Sequence, residues 1–271
     1  MTVYQSAYSD SPSHDQLSLV ELIKDAFESA GCGNVYTEFT SGKNKLLVYS
    51  IPLTSSELYG SAYLQVKITD GLAVTQQLFA EWDSSKKIGI SGGRESTSVT
   101  FSKTANLQVR TFRKEGEFRL IALSQTDKFA LLGYLRPSDK HPAFDETTGQ
   151  YIFQSNNTWK LPFVAWNSSG ATFYQTSDYT SNMGNINLSK AHPVTNKRDL
   201  VAGMLLYANS GYGIVGKTSE DIVSVAAAGL NKFDIIQDAS ANNEYVLLYP
   251  GNGCMAIRVD QTVDFYEQQN S

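Results

Sequence analysis

Cysteine, histidine and metal-binding patterns are scarce in this chain of 271 residues. Its two cysteines, Cys32 and Cys254, lie far apart and form no C-x-x-C pair, so the sequence predicts neither a disulfide framework nor a thiolate zinc site. The three histidines are dispersed, and none has the partner four residues away that a helical zinc site requires. We therefore expect no metal site and assign no cofactor.

Positive charge and long apolar runs are also limited. The chain has 22 Lys and Arg against 27 Asp and Glu, a formal net charge of −5, which argues against a basic face for nucleic acid. Its longest apolar stretch, 199–208, is about half of the roughly 20 residues that span a bilayer. Residues 1–15 lack the basic and apolar regions of a secretory signal. We expect no nucleic-acid partner, no membrane insertion and synthesis in a cytoplasm.

One segment has the period of an amphipathic helix. Over residues 19–30, apolar side chains recur every three or four positions and charged side chains occupy the other face. Gly31 and Gly33 supply the stop signal. Two pairs fit a capping box at the start: Ser13 with Gln16, and Ser18 with Glu21. A second, short helix is predicted at 219–228.

Short runs of β-branched and aromatic residues, separated by turn residues, make up most of the remaining chain. The connections are too short for parallel crossovers, so neighbouring strands are predicted to be antiparallel. Asp70-Gly71 gives the strongest hairpin signal. The fold class predicted is mainly β, with antiparallel meander or sandwich-type sheets and one N-terminal helix. Strands are predicted at 35–40, 45–51, 61–69, 72–79, 96–102, 106–113, 117–124, 128–136, 161–166, 171–176, 203–208, 232–238, 244–250 and 254–260.

The strand pattern breaks between Arg136 and Lys160, where prolines and polar residues predict a long surface connection. We place a boundary between two lobes there. Residues 1–140 are then a helix with an antiparallel β lobe, and residues 141–271 are a second β-rich lobe.

Residues 211–218 spell G-x-x-x-x-G-K-T, the written form of a phosphate-binding loop. That loop needs a strand before it and a helix after it, in a domain where parallel strands alternate with helices. The rest of this chain predicts a meander, so we favour a hairpin joining 203–208 to the following strand. Nucleotide binding through Gly211–Thr218 remains an alternative. The overlapping G-x-G-x-x-G of 211–216 lacks the parallel sheet of a dinucleotide site.

Two further features leave a carbohydrate-related alternative open. Asp145-Glu146, and Asp83 beside Trp82, have the residue types of a glycosidase, but a chain with 27 acidic residues offers many such pairs. We assign no catalytic residue and expect no enzyme activity. The neutral segment 167–190, rich in Ser, Thr, Asn and Tyr, has the composition of an interface or glycan-contact loop, or of an ordinary long loop.

A resemblance follows from RKEGEFRLIALSQTDKFALLGYLRPSDKHP (113–142), which comes after an opening amphipathic helix and a strand that carries Trp82. This run resembles virion structural proteins of tailed bacteriophages, particularly tail- and baseplate-associated ones. In those proteins a similar hairpin ends in a Gly-aromatic-Leu step, here 133–135, before a proline-bearing loop. The resemblance covers about the first 140 residues and includes no chemical signature.

What the resemblance implies is a non-enzymatic structural subunit of the tail, baseplate, neck or fibre-attachment region of a virion. Such a subunit is assembled in the host cytoplasm, forms a homo-oligomer and binds other virion proteins. Residues 1–15 would be an arm that orders on a neighbouring subunit. The candidate interface residues are Tyr4, Tyr8, Tyr174 and Tyr179.

Overall fold

The structure is a computed structural model. It describes residues 1–10, 14–52, 61–92, 95–136, 139–140, 144–145, 150–152, 158–160, 163–166, 172–174, 180–183, 200–203, 205–208, 213–225, 229–238, 242–249 and 255–266.

Helix α1 (Gln16–Ser29) confirms the predicted N-terminal helix. The chain enters it extended at Asp15, whose carboxylate accepts the Ser18 N–H at 2.8 Å while the Ser18 hydroxyl accepts the Asp15 N–H at 2.9 Å. Both predicted capping pairs are therefore wrong, because Asp15 takes the N-cap position. The predicted stop is confirmed: Gly31 has a φ of +75°, a left-handed conformation that suits glycine.

The described strands are numbered in chain order. They are β1 (Tyr4–Asp10), β2 (Thr37–Ser41), β3 (Asn44–Pro52), β4 (Ser61–Ile68), β5 (Ala73–Asp83), β6 (Ile88–Gly92), β7 (Val99–Thr100), β8 (Leu107–Lys114), β9 (Phe118–Gln125), β10 (Lys128–Leu135), β11 (Asp139–Lys140), β12 (Phe144–Asp145), β13 (Gln150–Ile152), β14 (Thr158–Lys160), β15 (Phe163–Trp166), β16 (Thr172–Tyr174), β17 (Thr180–Met183), β18 (Leu200–Ala202), β19 (Leu205–Ala208), β20 (Gly213–Lys217), β21 (Ile222–Val225), β22 (Ile235–Gln237), β23 (Glu244–Tyr249), β24 (Met255–Arg258) and β25 (Gln261–Thr262).

A six-stranded antiparallel sheet follows the helix, in the order β2-β3-β4-β5-β6, with β7 also paired to β5. The predicted hairpin at Asp70-Gly71 is confirmed as the β4–β5 turn, where the Thr69 N–H donates to the Ala73 carbonyl at 2.9 Å. The predicted strand at 96–102 is shorter in the structure, which forms only β7 there. Strand β6 was not predicted, because its glycines weaken the strand signal.

An eleven-stranded sheet has the order β11-β20-β19-β17-β16-β15-β10-β9-β8-β1-β25. Two smaller sheets have the orders β12-β13-β14 and β18-β21-β24-β23-β22. Among the described pairings, all are antiparallel except β1 with β25. The predicted fold class, mainly β with antiparallel sheets and one N-terminal helix, is confirmed. The division at residue 140 stays a prediction; the large sheet continues across it where β10 pairs with β15.

The predicted N-terminal arm is wrong for the described residues of 1–15. Strand β1 lies between β8 and β25, so it pairs within its own chain rather than with a neighbour. Val3 is fully buried, and its N–H donates to an Asp260 carboxylate oxygen at 2.8 Å. The prediction failed because the partners of β1 are about a hundred or more residues away, and nothing in its polar sequence indicates them.

The predicted helix at 219–228 is also wrong. Residues 222–225 form β21, a strand buried between β18 and β24; residues 226–228 lie outside the described residues. A short apolar run fits a helix and a strand buried on both faces equally well, and tertiary pairing decided between them.

The main core lies between helix α1 and both large sheets. The apolar face of α1 packs against inward residues of β3, β4 and β5 on one side and of β8, β9 and β10 on the other. Phe27 stacks on Tyr49 with ring centroids 4.2 Å apart, and Phe265 joins the core from the last described segment. This one helix therefore occupies the space between two sheets.

A buried amide ties the two sheets together. Gln76 on β5 is 1% exposed; its side chain donates to the Leu131 carbonyl at 3.0 Å and accepts the Gly133 N–H at 2.9 Å. Gln76 thus takes the place of a strand partner for the backbone of β10 and fixes how the sheets meet. Among the described residues, no helix is long and apolar enough to cross a bilayer.

Candidate functional site

The six-stranded sheet has two unlike faces. On β4, Leu64 and Val66 are fully buried and belong to the core around α1. Tyr63 and Gln65 point to the other face, because successive side chains of a strand alternate, and both are only partly buried. Pairing of Tyr63 with Phe79 on β5 continues this second face across the sheet.

Five aromatic rings meet at one end of the second face. Trp82 contacts three of them, with centroid distances of 5.9 Å to Phe79, 6.1 Å to Phe39 and 6.5 Å to Tyr63. Tyr36 lies 5.3 Å from Tyr63 and is 48% exposed. These separations are typical of interacting aromatic pairs, so the rings support one another while remaining within reach of solvent.

Strand β6 borders this aromatic cluster and forms one edge of the sheet. Ile88 and Ile90 are 50% and 41% exposed, two apolar side chains on the same face of an edge strand. The glycines of β6 have a steric cause: a Cβ at Gly89 would lie 2.1 Å from the Phe79 ring, and one at Gly92 would lie 2.5 Å away. The backbone of β6 therefore packs directly against the Phe79 ring.

We call the following six residues the β6 patch: Tyr36, Phe39, Tyr63, Trp82, Ile88 and Ile90. They come from β2, β4, β5, β6 and the segment before β2. Ring contacts join the four aromatic members, and Ile88 and Ile90, which pair with Asp83 and Glu81, extend the patch along the neighbouring edge strand. Half-exposed aromatic and aliphatic side chains grouped in this way are characteristic of contact surfaces. The patch was not predicted from the sequence, where its one local signal is the Ile-Gly-Ile run of 88–90.

Charged side chains at the rim of the patch already have interaction partners. The Lys87 ammonium lies 5.6 Å from the centroid of the Phe39 ring. The Asp83 carboxylate accepts the Ser85 hydroxyl at 2.6 Å and the Ser85 and Lys86 N–H groups at 3.0 Å, and these hydrogen bonds lower its pKa. Asp83 thus shapes the β5–β6 turn in its ionised form, which is unlike the raised pKa of a glycosidase acid.

The other carboxylates named for a hydrolase are not brought near this turn by any described contact. Asp145 lies on β12, where the backbone alone is described, and Glu146 lies outside the described residues. Within the described chain, no group of three or more His, Cys, Asp or Glu side chains is placed to hold a metal ion.

The phosphate-loop-like segment forms a strand and a turn. Residues 213–217 are β20, antiparallel to β19, which confirms the predicted hairpin; Gly211 lies outside the described residues. The Lys217 ammonium lies 3.3 Å from Glu220, and the buried Thr218 hydroxyl donates to the Ser219 carbonyl at 3.2 Å. Strand β21 follows where a phosphate loop requires a helix, so the described backbone has no helix N-terminus to face a phosphate.

Three of the four predicted interface tyrosines, Tyr4, Tyr8 and Tyr174, lie on strands of the eleven-stranded sheet. Tyr4 and Tyr8 are on β1 and partly buried. The Arg113 guanidinium lies 4.9 Å from the Tyr4 ring centroid, and Tyr8 stacks on Phe265 at 5.1 Å. Tyr174 is on β16, where only the backbone is described, and Tyr179 lies outside the described residues, as does most of the 167–190 segment. The role of these four tyrosines stays a prediction.

No protein-family model, no curated protein and no solved structure matches this chain.

Proposed function

We propose that this chain is a non-enzymatic structural subunit of a tailed-phage virion, located in the tail, baseplate, neck or fibre-attachment region. In this proposal it forms a homo-oligomer and binds other virion proteins through the β6 patch, after assembly in the host cytoplasm. The sequence resemblance over 113–142 suggests the setting. The observation that carries an assembly role is the β6 patch itself.

The β6 patch combines two properties that favour protein contacts. Its aromatic rings offer large apolar area with few rotatable bonds, which lowers the entropy cost of ordering them in an interface. Among the described strands, β6 has a neighbour on one side only, beside Ile88 and Ile90, and proteins that stay monomeric usually protect such edges with charge, proline or a bulge. A β strand or apolar surface of another subunit is the partner that fits both properties.

Neither alternative function has a comparable observation behind it. Nucleotide binding through Gly211–Thr218 would need a loop and helix where the described chain has β20, a turn and β21. Carbohydrate binding or hydrolysis was suggested by the composition of 167–190 and by acidic pairs. The Asp83 carboxylate of one such pair is hydrogen-bonded within the β5–β6 turn. We therefore carry the structural role forward alone.

Sedimentation velocity over a range of concentrations tests the proposal. We expect the wild-type chain to self-associate, or to bind purified virion proteins encoded beside it, and the double variant Ile88→Lys, Ile90→Lys to lose this binding. Thr40→Lys is the matched control, because Thr40 is exposed on β2 at the opposite edge of the same sheet. A wild-type chain that stays a compact monomer at high concentration and binds no virion protein would contradict the proposal.

A further inference from the structure

A buried contact between a lysine and an aspartate joins the eleven-stranded sheet to the sheet that contains β21. Lys114 is the last residue of β8, and Asp221 directly precedes β21. The Lys114 ammonium lies 2.6 Å from Asp221 Oδ2, although the two residues are 107 positions apart in the chain. Their side chains are only 13% and 7% exposed. The two groups that condense to an amide, an amine and a carboxyl, are thus held in contact and largely away from water.

Glu117 is placed to move protons at this contact. Its carboxylate lies 2.6 Å from the same Lys114 ammonium, and its N–H donates to the Lys114 carbonyl at 3.1 Å across the β8–β9 turn. Burial alone would lower the pKa of Lys114, but hydrogen bonds to Asp221 and Glu117 raise this pKa overall, so the resting group is an ammonium ion. A carboxylate in contact with the ammonium is the base that can take its proton and release the free amine.

Arg258 supplies positive charge beside the other oxygen of Asp221. Its Nε atom lies 2.9 Å from Asp221 Oδ1, outside hydrogen-bond geometry, and its backbone N–H donates to the Asp221 carbonyl at 2.8 Å. The two carboxylate oxygens therefore differ, because Oδ2 faces the Lys114 ammonium and Oδ1 faces the guanidinium. Negative charge that develops on Oδ1 when a nucleophile attacks the carboxyl carbon is stabilised by Arg258.

Two physical effects favour a covalent bond over the ion pair. Groups held in contact react as if at concentrations on the order of 10⁵–10⁸ M, because no bimolecular encounter is needed. Burial acts in the same direction: two charges removed from water carry a desolvation cost, and the amide that replaces them is neutral. The Glu117 side chain is 28% exposed, so a water released beside it has a path to solvent.

We propose that Lys114 and Asp221 condense to an intramolecular isopeptide bond in the folded chain, with Glu117 as the proton carrier. Glu117 takes one proton from the Lys114 ammonium, and the free amine attacks the Asp221 carboxyl carbon. The Nζ–Cγ bond forms and the Cγ–Oδ2 bond breaks. Oδ2 leaves as water with the proton held by Glu117 and a second proton from the attacking nitrogen, which keeps its third. One positive and one negative charge disappear together, and no oxidant or reductant is consumed.

The isopeptide bond ties the two sheets covalently across 107 positions of the chain. A cross-link that closes so long a loop restricts the unfolded chain, so the linked protein should resist unfolding more than an unlinked one. The inference is independent of the proposed assembly role, because Lys114, Glu117 and Asp221 lie outside the β6 patch and its test needs no partner protein.

Mass spectrometry of the purified full chain tests the inference. We expect the wild-type chain to be lighter than its sequence mass by about 18 Da, the mass of one water. After trypsin digestion, residues 114–119 and 218–232 should be recovered as one linked pair of peptides, because trypsin does not cleave after an acylated lysine. A folded wild-type chain that keeps its full sequence mass, or that loses water at another position, would overturn the inference.

Variants assign the roles. Lys114→Arg keeps the positive charge but lacks the amine, so this variant should keep its full mass. Glu117→Gln keeps the size of the side chain but accepts no proton, and it should slow bond formation about a hundredfold or more. Lys24→Arg is the matched control, because Lys24 also contacts two carboxylates, Glu21 at 3.1 Å and Glu38 at 3.4 Å, at a more exposed site. It should lose water as the wild-type chain does.

Circular dichroism establishes which variants are folded. Loss of water from folded Lys114→Arg would contradict the isopeptide bond. Folded Glu117→Gln that links as fast as the wild-type chain would contradict the proton transfer through Glu117. The wild-type mass decides the existence of the bond even if a variant fails to fold.

Discussion

On strand β4, Leu64 and Val66 are fully buried against the core of helix α1, whereas Tyr63 and Gln65 between them are partly exposed on the opposite face. The same contrast holds on β5, where Gln76 is buried and Gln77 is not. Residue type does not separate the two faces, since aromatic rings and glutamines occur on both. The faces differ in what covers them: one has a helix and a second sheet, and the other ends in the β6 patch.

This comparison suggests a division of labour within one sheet. The helix-side face contributes most of the folding free energy, because its side chains are removed from water completely. The second face contributes less to folding and keeps apolar surface available for a partner. Matched substitutions on the two faces should therefore separate stability from association.

The largest difference is expected between two phenylalanines. Phe27→Ala removes a fully buried ring stacked on Tyr49 and should lower the free energy of unfolding by about 3–5 kcal/mol. Phe39→Ala on the second face removes a half-exposed ring and should cost about 1 kcal/mol. Urea unfolding of both variants measures the difference, and equal losses would remove the distinction between the faces.

A smaller difference is expected between two glutamines. Gln76→Ala leaves the Leu131 carbonyl and the Gly133 N–H without this amide in a buried site, so it should lower the free energy of unfolding by about 1–3 kcal/mol. Gln65→Ala on the second face should change it by no more than about 0.5 kcal/mol. Thermal and urea unfolding of the pair would show whether the sheets depend on the buried amide; a neutral Gln76→Ala would show that they do not.

Tyrosine ionisation gives a third test. Burial raises the pKa of Tyr49, so in the folded state its phenol keeps a proton that the unfolded chain loses above about pH 10. The unfolded state then binds fewer protons, and stability falls as pH rises, by at most about 1.4 kcal/mol per pH unit for this group. Tyr49→Phe should make the alkaline fall in stability shallower, as measured by urea unfolding between pH 9 and 11.

The control for that titration is on the second face. Tyr63 is only partly buried, so although burial raises its pKa as well, Tyr63→Phe should change the alkaline slope less. At neutral pH, Tyr49→Phe should leave the free energy of unfolding almost unchanged, because the Tyr49 hydroxyl has no hydrogen-bond partner among the described residues. A Tyr49→Phe variant with an unchanged alkaline slope would argue against the deep burial of this phenol.

The smallest effect on stability is expected at the β6 patch. Ile90→Lys places a charge on an exposed position of an edge strand and should change the free energy of unfolding by no more than about 0.5 kcal/mol. The same substitution should still weaken self-association or binding to virion proteins, which sedimentation velocity measures. Loss of stability without loss of association would reverse the roles that we assign to the two faces.

The sequence predicted the parts of the fold that are local. Helix α1 and the meander from β3 to β5 and from β8 to β10 depend on periodicity and on short turns such as Asp70-Gly71, and these were found near their predicted positions. Strand β1 was missed because its partners, β8 and β25, are remote in sequence. Strand β21 was taken for a helix because its apolar residues fit both periods.

The candidate sites could not be predicted in the same way. Each residue of the β6 patch is unremarkable in its own segment, and the patch exists because the fold brings the Trp82 ring 6.1 Å from the Phe39 ring and 6.5 Å from the Tyr63 ring. The turn after α1 likewise depends on Arg119, 88 residues later, whose Nε–H donates to the Gly31 carbonyl. A contiguous motif such as Gly211–Thr218 can be recognised in the sequence, whereas residues dispersed along the chain give no sign that they meet in the fold.

The pairing of β1 with β25 at one end of the large sheet joins the two ends of the chain. Val3 donates its hydrogen bond to a carboxylate 257 positions later, so a ribosome adding 5–20 residues per second takes roughly 13–50 s between the two. During that interval Tyr4 and Gln5, the residues of β1 that pair with β25, have no native neighbour on that side. The nascent chain must keep that strand from pairing elsewhere, and its exposed Ala7 and Ser9 offer little apolar surface to attract a wrong partner.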